Sequence, residues 1–361
     1  MSNTFIPGIE LSRRFYNAIV GPALQAAWPN LAYAAALIGP GSEVLGFDTP
    51  LSTDHDWGPA LQIFLPDASA AMAPAILAAI EAQLPETFAG YPVGVPHGVD
   101  LIDQGMDEPP PHHRVRLVTL RQYMAELLDH PLGTPLDTAD WLTIPAQRLG
   151  ELTSGIIHYD AVGELTQLRE DLAFYPRDVW LYLMAAGWAR IGQEDHLLAR
   201  AGSAGDELGS ALIGSRLVRD LMQLAFLIER RYPPYPKWFG SAFGRLQCAA
   251  QLTPLLAAVQ AAADWPSRMT ALASAAGFVI ECHNRLQISV PIDPTPVAFF
   301  SRPFLVAPSA QVQHALIAAI EGAAMRRIAA NPPIGSIDQW SDNTDLRSNI
   351  GWRRQLRALY E

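Results

Sequence analysis

The chain is short of cysteine, of strongly basic stretches and of long apolar runs, and each shortage removes a class of protein. Two cysteines, Cys248 and Cys282, in 361 residues cannot supply a disulfide framework, so a reducing compartment fits. Proteins that grip a polynucleotide backbone carry a Lys/Arg stripe. Here 25 Lys+Arg stand against 36 Asp+Glu, the net charge is −11, and no segment is markedly basic. Nucleic acid is therefore not an expected partner. No stretch approaches the roughly 20 uncharged apolar residues of a spanning helix, and Met1 to Arg14 lacks the basic-then-apolar order of a signal peptide. The expectation is a cytoplasmic protein with no membrane partner.

What is present is half apolar and only 17% charged, the composition of a folded globular chain long enough for two cores. Leu11, Phe15, Ile19 and Leu24 are spaced for one face of a helix over 9–27, which Pro29 stops. Leu31 to Ile38 is short and apolar, is bounded by Gly39-Pro40-Gly41, and reads as a buried strand. Strands are expected again at 51–57, 60–65 and 114–120, with helices over 68–84 and 121–128. The segment 85–113, rich in Gly, Pro and His, reads as loop. Alternating strands and helices point to a small α+β domain, a mixed sheet with helices, over residues 1–128. Ala and Leu dominate from about residue 140, so helices are expected almost without interruption over 129–330, clearest at Leu212 to Arg231. A tail over 331–361 is expected to pack on the core.

The chemistry concentrates in the first domain. On a strand, residues i and i+2 project from one face, so Asp54 and Asp56 would present two carboxylates to one place, with His55 turned away. Two such carboxylates repel unless a cation sits between them, and hard oxygens suit Mg²⁺. Gly41-Ser42, just after the apolar strand, would let backbone approach an anion closely and add a hydroxyl. Either pair alone is weak, since most Gly-Ser pairs are ordinary turns and a lone acid-x-acid is usually a solvated strand end.

The order is what carries information: apolar strand, Gly41-Ser42, a turn with Gly46, and Asp54-His55-Asp56 after eleven intervening residues. It resembles the polymerase-beta-like nucleotidyltransferase superfamily. The wording GSEVLGFDTPLSTDHDWG is more similar still to the DUF4037 family, a likeness that extends to LTSGIIHYDAVGELTQLREDLAFYPRDVWLYL, RLVRDLMQLAFLIERRYPPYPKW and PPIGSIDQWSDNTD. The resemblance implies transfer of a nucleoside monophosphate from ATP or another NTP to a hydroxyl of a small-molecule or protein acceptor. By the same resemblance, Gly41 and Ser42 would bind the phosphates, while Asp54 and Asp56 would be catalytic and hold Mg²⁺.

The chain departs from that pattern at one place. Many members carry a third carboxylate on a later strand, and Arg116 stands where it is expected; Asp100 and Asp103 lie upstream. That departure favours the rival expectation, a catalytically weak nucleotide-binding regulator or antitoxin-like module. Antibiotic nucleotidyltransferases are similar in having a helical second domain whose lysine reaches the triphosphate. Lys237, in Tyr232-Pro233-Pro234-Tyr235-Pro236-Lys237-Trp238, is the candidate for that role, against a lysine on an exposed turn. Arg216, Asp220 and Gln223 form a polar stripe on an apolar helix, read either as an internal Arg216–Asp220 salt bridge or as a cleft wall. Glu194 is a weak candidate base beside the plainer reading of a solvated face. His112, His113, His158 and His283 are read as loop or structural histidines, and Asp338, Asp342 and Asp345 as acids of the tail.

Overall fold

A computed structural model describes residues 4–54, 57–94 and 113–361. Its strands are β1 Ala34–Leu37, β2 Ala60–Leu65, β3 Thr87–Phe88, β4 Tyr91–Pro92, β5 Arg114–Thr119, β6 Ile156–Asp160, β7 Val297–Ala298 and β8 Leu305–Val306. The chain forms two compact units, one of residues 1–135 and 148–173, the other of 136–147 and 174–361.

The first unit is built on a four-stranded mixed sheet of order β5-β2-β1-β6. β1 runs antiparallel to β2, with Ala36 opposite Gln62, and β2 runs parallel to β5, with Gln62 beside Arg116. Side chains alternate along each strand. Ala35, Leu61, Ile63, Leu65 and Val115 face one way, into a core with Phe15, Val20, Leu24, Ile76 and Ile80. Phe15, Leu24, Ile76 and Ile80 come from helices α1 Gly8–Phe15, α2 Gly21–Ala27 and α3 Ala73–Glu81, and Val20 from the turn between α1 and α2. The helix expected over 9–27 is interrupted at Tyr16–Val20 by a π-turn, next to Pro22, which has no N–H for a helical ladder. Helix α4, Leu120–Leu128, follows β5 behind a capping box in which Thr119 accepts from the Gln122 amide and Gln122 accepts from the Thr119 amide.

Two expectations are corrected here. The strand expected at 51–57 is instead a 3₁₀ turn over Pro50–Asp54. Local bonds explain it: Thr49 N–H donates to Ser52 Oγ at 3.0 Å and Thr53 Oγ1 to the Pro50 carbonyl at 2.9 Å, so side chains offer the backbone an alternative to a ladder. Nor are helices uninterrupted beyond 140. β6 pairs with β1 at the sheet edge, and a bulge lies between Ala35 and Ala36.

Helices α5 Thr138–Thr143, α6 Ala146–Thr153 and α7 Glu164–Asp171 precede the two long helices of the second unit, α8 Arg177–Ser203 and α9 Glu207–Ile228. Asp206 caps α9 by accepting from the Gly209 amide at 2.7 Å. Close packing uses bare backbone: a Cβ on Gly187 would lie 2.8 Å from Leu224, and one on Gly202 2.2 Å from Trp265. α10 Pro236–Phe243, α11 Ala249–Ala261, α12 Trp265–Arg285 and α13 Ser309–Ala318 complete the bundle. The last segment is tied to these helices by polar bonds. Asp338 accepts from the Ala146 amide at 2.7 Å, Gln339 Nε2 donates to the Leu183 carbonyl at 2.8 Å, and Arg353 pairs with buried Asp140. Among the described residues no helix is long and apolar enough to cross a membrane.

Candidate functional site

Gly39 to Phe47 leave β1 as a compact, self-bonded turn. The Gly39 amide donates to the Glu151 carbonyl at 2.9 Å, the Gly46 amide to the Glu43 carbonyl at 3.1 Å, and the Phe47 amide to the Ser42 carbonyl at 2.8 Å. Gly39 at φ +98° and Gly41 at φ +146° occupy the half of backbone space that favours glycine. At Gly41 the missing side chain is used: the Glu43 carboxylate lies against it, with oxygens 2.5 and 2.8 Å from where a Cβ would stand. Val44 is buried, and its carbonyl accepts from the Gly155 amide at 3.0 Å.

Register decides what this turn can meet. Because β1 and β2 are antiparallel with Ala36 opposite Gln62, the turn after β1 leaves the sheet at the end where β2 begins. The segment carrying Asp54 enters at that same end, and so does β5, whose Arg114 pairs with Ala60. Asp54 is exposed and closes the 3₁₀ turn, so the alternation argument for a carboxylate pair does not apply to it; His55 and Asp56 lie outside the described residues. Asp48 is structural. Its Oδ2 accepts from the Gly8 amide at 2.6 Å and from Trp57 Nε1 at 3.1 Å, fixing the start of α1 against the loop.

The second sheet face near the turn is polar. Gln62 Oε1 accepts from the Ile38 amide at 3.2 Å, and Arg116, its neighbour across the ladder, pairs with Glu126. The position expected to carry a third acid thus holds a cation neutralised by the chain itself. Arg114 lies beside Gly58, its Nη1 3.1 Å from where a Cβ would stand. Glu151, 1% exposed, pairs with Arg148 at 3.0 Å. Tyr123 approaches over Phe64, and burial raises its hydroxyl above the usual phenol range, reinforced by the Glu151 charge. Sequence reading passed over Gln62, Glu151 and Tyr123, since no local pattern marks residues joined only by the fold.

Other candidates resolve as structure. His113 Nδ1 accepts from the Val115 amide at 3.2 Å, leaving Nε2 to donate to Glu81 at 2.9 Å; His112 and the loop acids Asp100 and Asp103 lie outside the described residues. His158 sits under Tyr16, with Nε2 2.9 Å from Ser12 Oγ, and burial pushes its pKa down to about 4, helped by Arg13. The Arg216–Asp220 bridge is corrected: Asp220 pairs with Arg190 at 2.9 Å and Arg216 with Glu194, both partners on α8. Glu194 is therefore held in an ion pair. Asp338 is buried and paired with Arg347 at 2.7 Å, and Asp342 accepts from Arg219. Lys237, the only lysine in the chain, lies on α10 of the second unit with Nζ 5.0 Å from the ring centre of Trp238.

Among the described residues no group of three or more His, Cys, Asp and Glu converges as a metal cage. The donor chemistry at Asp54 still suits Mg²⁺, which keeps waters and needs only one or two carboxylates beside substrate phosphates.

Residues 141–239 match the model of the family described as Domain of unknown function (DUF4037). The match bears out the likeness read from LTSGIIHYD and RLVRDLMQLAFLIERRYPPYPKW, both of which lie inside it; the Gly41-Ser42 and Asp54 motif lies outside it. Among solved structures, the chain is similar to the crystal structure of a nucleotidyltransferase-like protein from Exiguobacterium sibiricum 255-15. The two are 14% identical, 80% of this chain and 82% of that one are covered, and the TM-score is 0.33. No curated protein matches the chain.

Proposed function

We propose that the first unit is a nucleotidyltransferase centre that moves a nucleoside monophosphate from an NTP, ATP in the first instance, to a hydroxyl of a small-molecule or protein acceptor. One observation carries this reading. The antiparallel register of β1 and β2 sends the Gly39–Ser42 turn and the Asp54 segment to one end of the sheet. A glycine-rich turn for phosphates and hard oxygen donors for Mg²⁺ at one sheet end are the parts that phosphoryl chemistry needs.

In this reading the Gly41-Ser42 backbone and the Ser42 hydroxyl orient the phosphate chain. Asp54, with Asp56, would hold Mg²⁺, which supplies charge stabilisation on the phosphates when bound. The acceptor oxygen forms a bond to the α-phosphorus, the bond to the bridging oxygen breaks, pyrophosphate leaves, and the hydroxyl proton passes to a base. The excess of acidic residues suits a cationic acceptor better than an anionic one.

The pairing of Arg116 with Glu126 favours a second reading, nucleotide binding without efficient turnover. Incubating the protein with labelled ATP, Mg²⁺ and a panel of hydroxyl acceptors separates the two. Pyrophosphate release lost in Asp54→Ala supports the enzyme. Binding without release across the panel supports the regulator, and failure to bind ATP refutes both.

A further inference from the structure

The Tyr123 hydroxyl ends beneath the Gly39–Ser42 turn. Tyr123 is 4% exposed, and its hydroxyl has no hydrogen-bond partner among the described residues. Its ring stands edge-on to Phe64 with centroids 5.2 Å apart, so its direction is set by packing. What it meets is Gly39. A Cβ built there would lie 2.9 Å from the hydroxyl and within 4 Å of no other described atom beyond the glycine's chain neighbours. A buried donor without a partner costs stability that a phenylalanine of the same volume would avoid, so packing alone does not account for the hydroxyl.

A second observation points to the kind of ligand. Two residues along the same turn, the carboxylate of Glu43 lies against the bare backbone of Gly41, so an oxyanion fits beside that glycine. Charge of both signs acts on the Tyr123 hydroxyl, the Glu151 carboxylate most strongly, then Arg116 and Arg148, each paired with a carboxylate, and Glu126.

We propose that the Tyr123 hydroxyl is a phosphate-directed donor of this turn, bonding a non-bridging oxygen of the nucleotide's phosphate chain once the peptide at Gly39 rotates to admit it. The proposal rests on the reading of the turn as a nucleotide cradle and adds a residue to it. Gly39 permits the rotation because it has no side chain to carry through the gap, and the rotation gives up its amide bond to the Glu151 carbonyl.

The test is isothermal titration of the full chain and its Tyr123→Phe variant, each with Mg²⁺·ATP and with Mg²⁺·tripolyphosphate, beside thermal unfolding without ligand. The expected result is a loss of about tenfold in affinity for both ligands, the scale of a hydrogen bond to a charged group, with Tm unchanged or raised. Equal affinity of the two proteins overturns the role of Tyr123 and leaves the nucleotide reading standing. A lowered Tm with unchanged affinity marks a structural hydroxyl and also overturns it. Weakening toward ATP alone moves the contact off the phosphates and overturns the assignment. A wild-type chain that binds neither ligand removes the nucleotide reading, and this inference with it.

Discussion

Gly155 locks the end of β1 to the turn that follows it, and replacing it by alanine tests that arrangement. Its φ is +73°, its amide donates to Val44 at 3.0 Å, and a Cβ there would lie 1.9 Å from the Leu37 carbonyl oxygen and 3.0 Å from its carbon. Leu37 cannot simply retreat, because it pairs with Ile156 in the ladder. Two costs follow. An alanine in the left-handed region costs about 1 kcal/mol. The backbone collision is relieved only by displacing β1 or β6, and losing one or two ladder bonds with their packing adds about 2–4 kcal/mol. Gly163 supplies the control: it lies in the same unit at φ +75°, with nothing within 4 Å of its Cβ position. Gly163→Ala should therefore cost only the first amount. Hydrogen exchange over 34–37 and 156–160, with thermal unfolding of both variants, reads the difference. Equal losses, or a Gly155→Ala loss below about 1 kcal/mol, would refute the collision.

Truncating Arg353 to alanine removes one of the arginines paired with buried Asp140, and a loss of about 3 kcal/mol is expected in denaturant unfolding; a loss under about 1 kcal/mol would mean the pair behaves as a surface bridge. Asp195 is buried and its carboxyl is pushed up to about 7, opposed by the amides of His196 and Ala307. Its folded pKa lies above its unfolded one, so the folded state holds the proton more tightly and stability falls as pH rises from about 4 to 7. Asp195→Asn should flatten that slope, by on the order of 4 kcal/mol at most, and an unchanged profile would contradict it. His158 works in the opposite sense: with its pKa near 4 it resists protonation in the folded state, so its contribution is lost as pH falls from about 6.5 to 4. Glu43→Gln removes a negative charge seated on Gly41, and Mg²⁺·ATP should then bind several-fold more tightly, as titration would show.

Much of the frame was legible because its signals are local. β1 and β2 are short apolar runs between breakers, β5 alternates charged and apolar residues, and α9 shows an uninterrupted apolar face. The error at 51–57 came from weighing spacing over chemistry: Thr49, Ser52 and Thr53 bond their own backbone, and Pro50 opens the turn. β6 was hidden because IIHYD lies between two helices, and its pairing is with β1, more than a hundred residues earlier. The same distance hid the site's supporting groups. Tyr123 meets Gly39, and Arg190 takes Asp220 from its neighbour Arg216, only after the sheet and the α8–α9 pair have formed.

The most direct test of the account is titration of the full chain with Mg²⁺·ATP, repeated on Ser42→Ala and Asp54→Ala with unfolding followed in parallel. Saturable binding by the wild type, weakened in both variants without loss of Tm, is the expected result. Absence of binding by the wild type, or equal binding by all three, would contradict a nucleotide cradle at this end of the sheet.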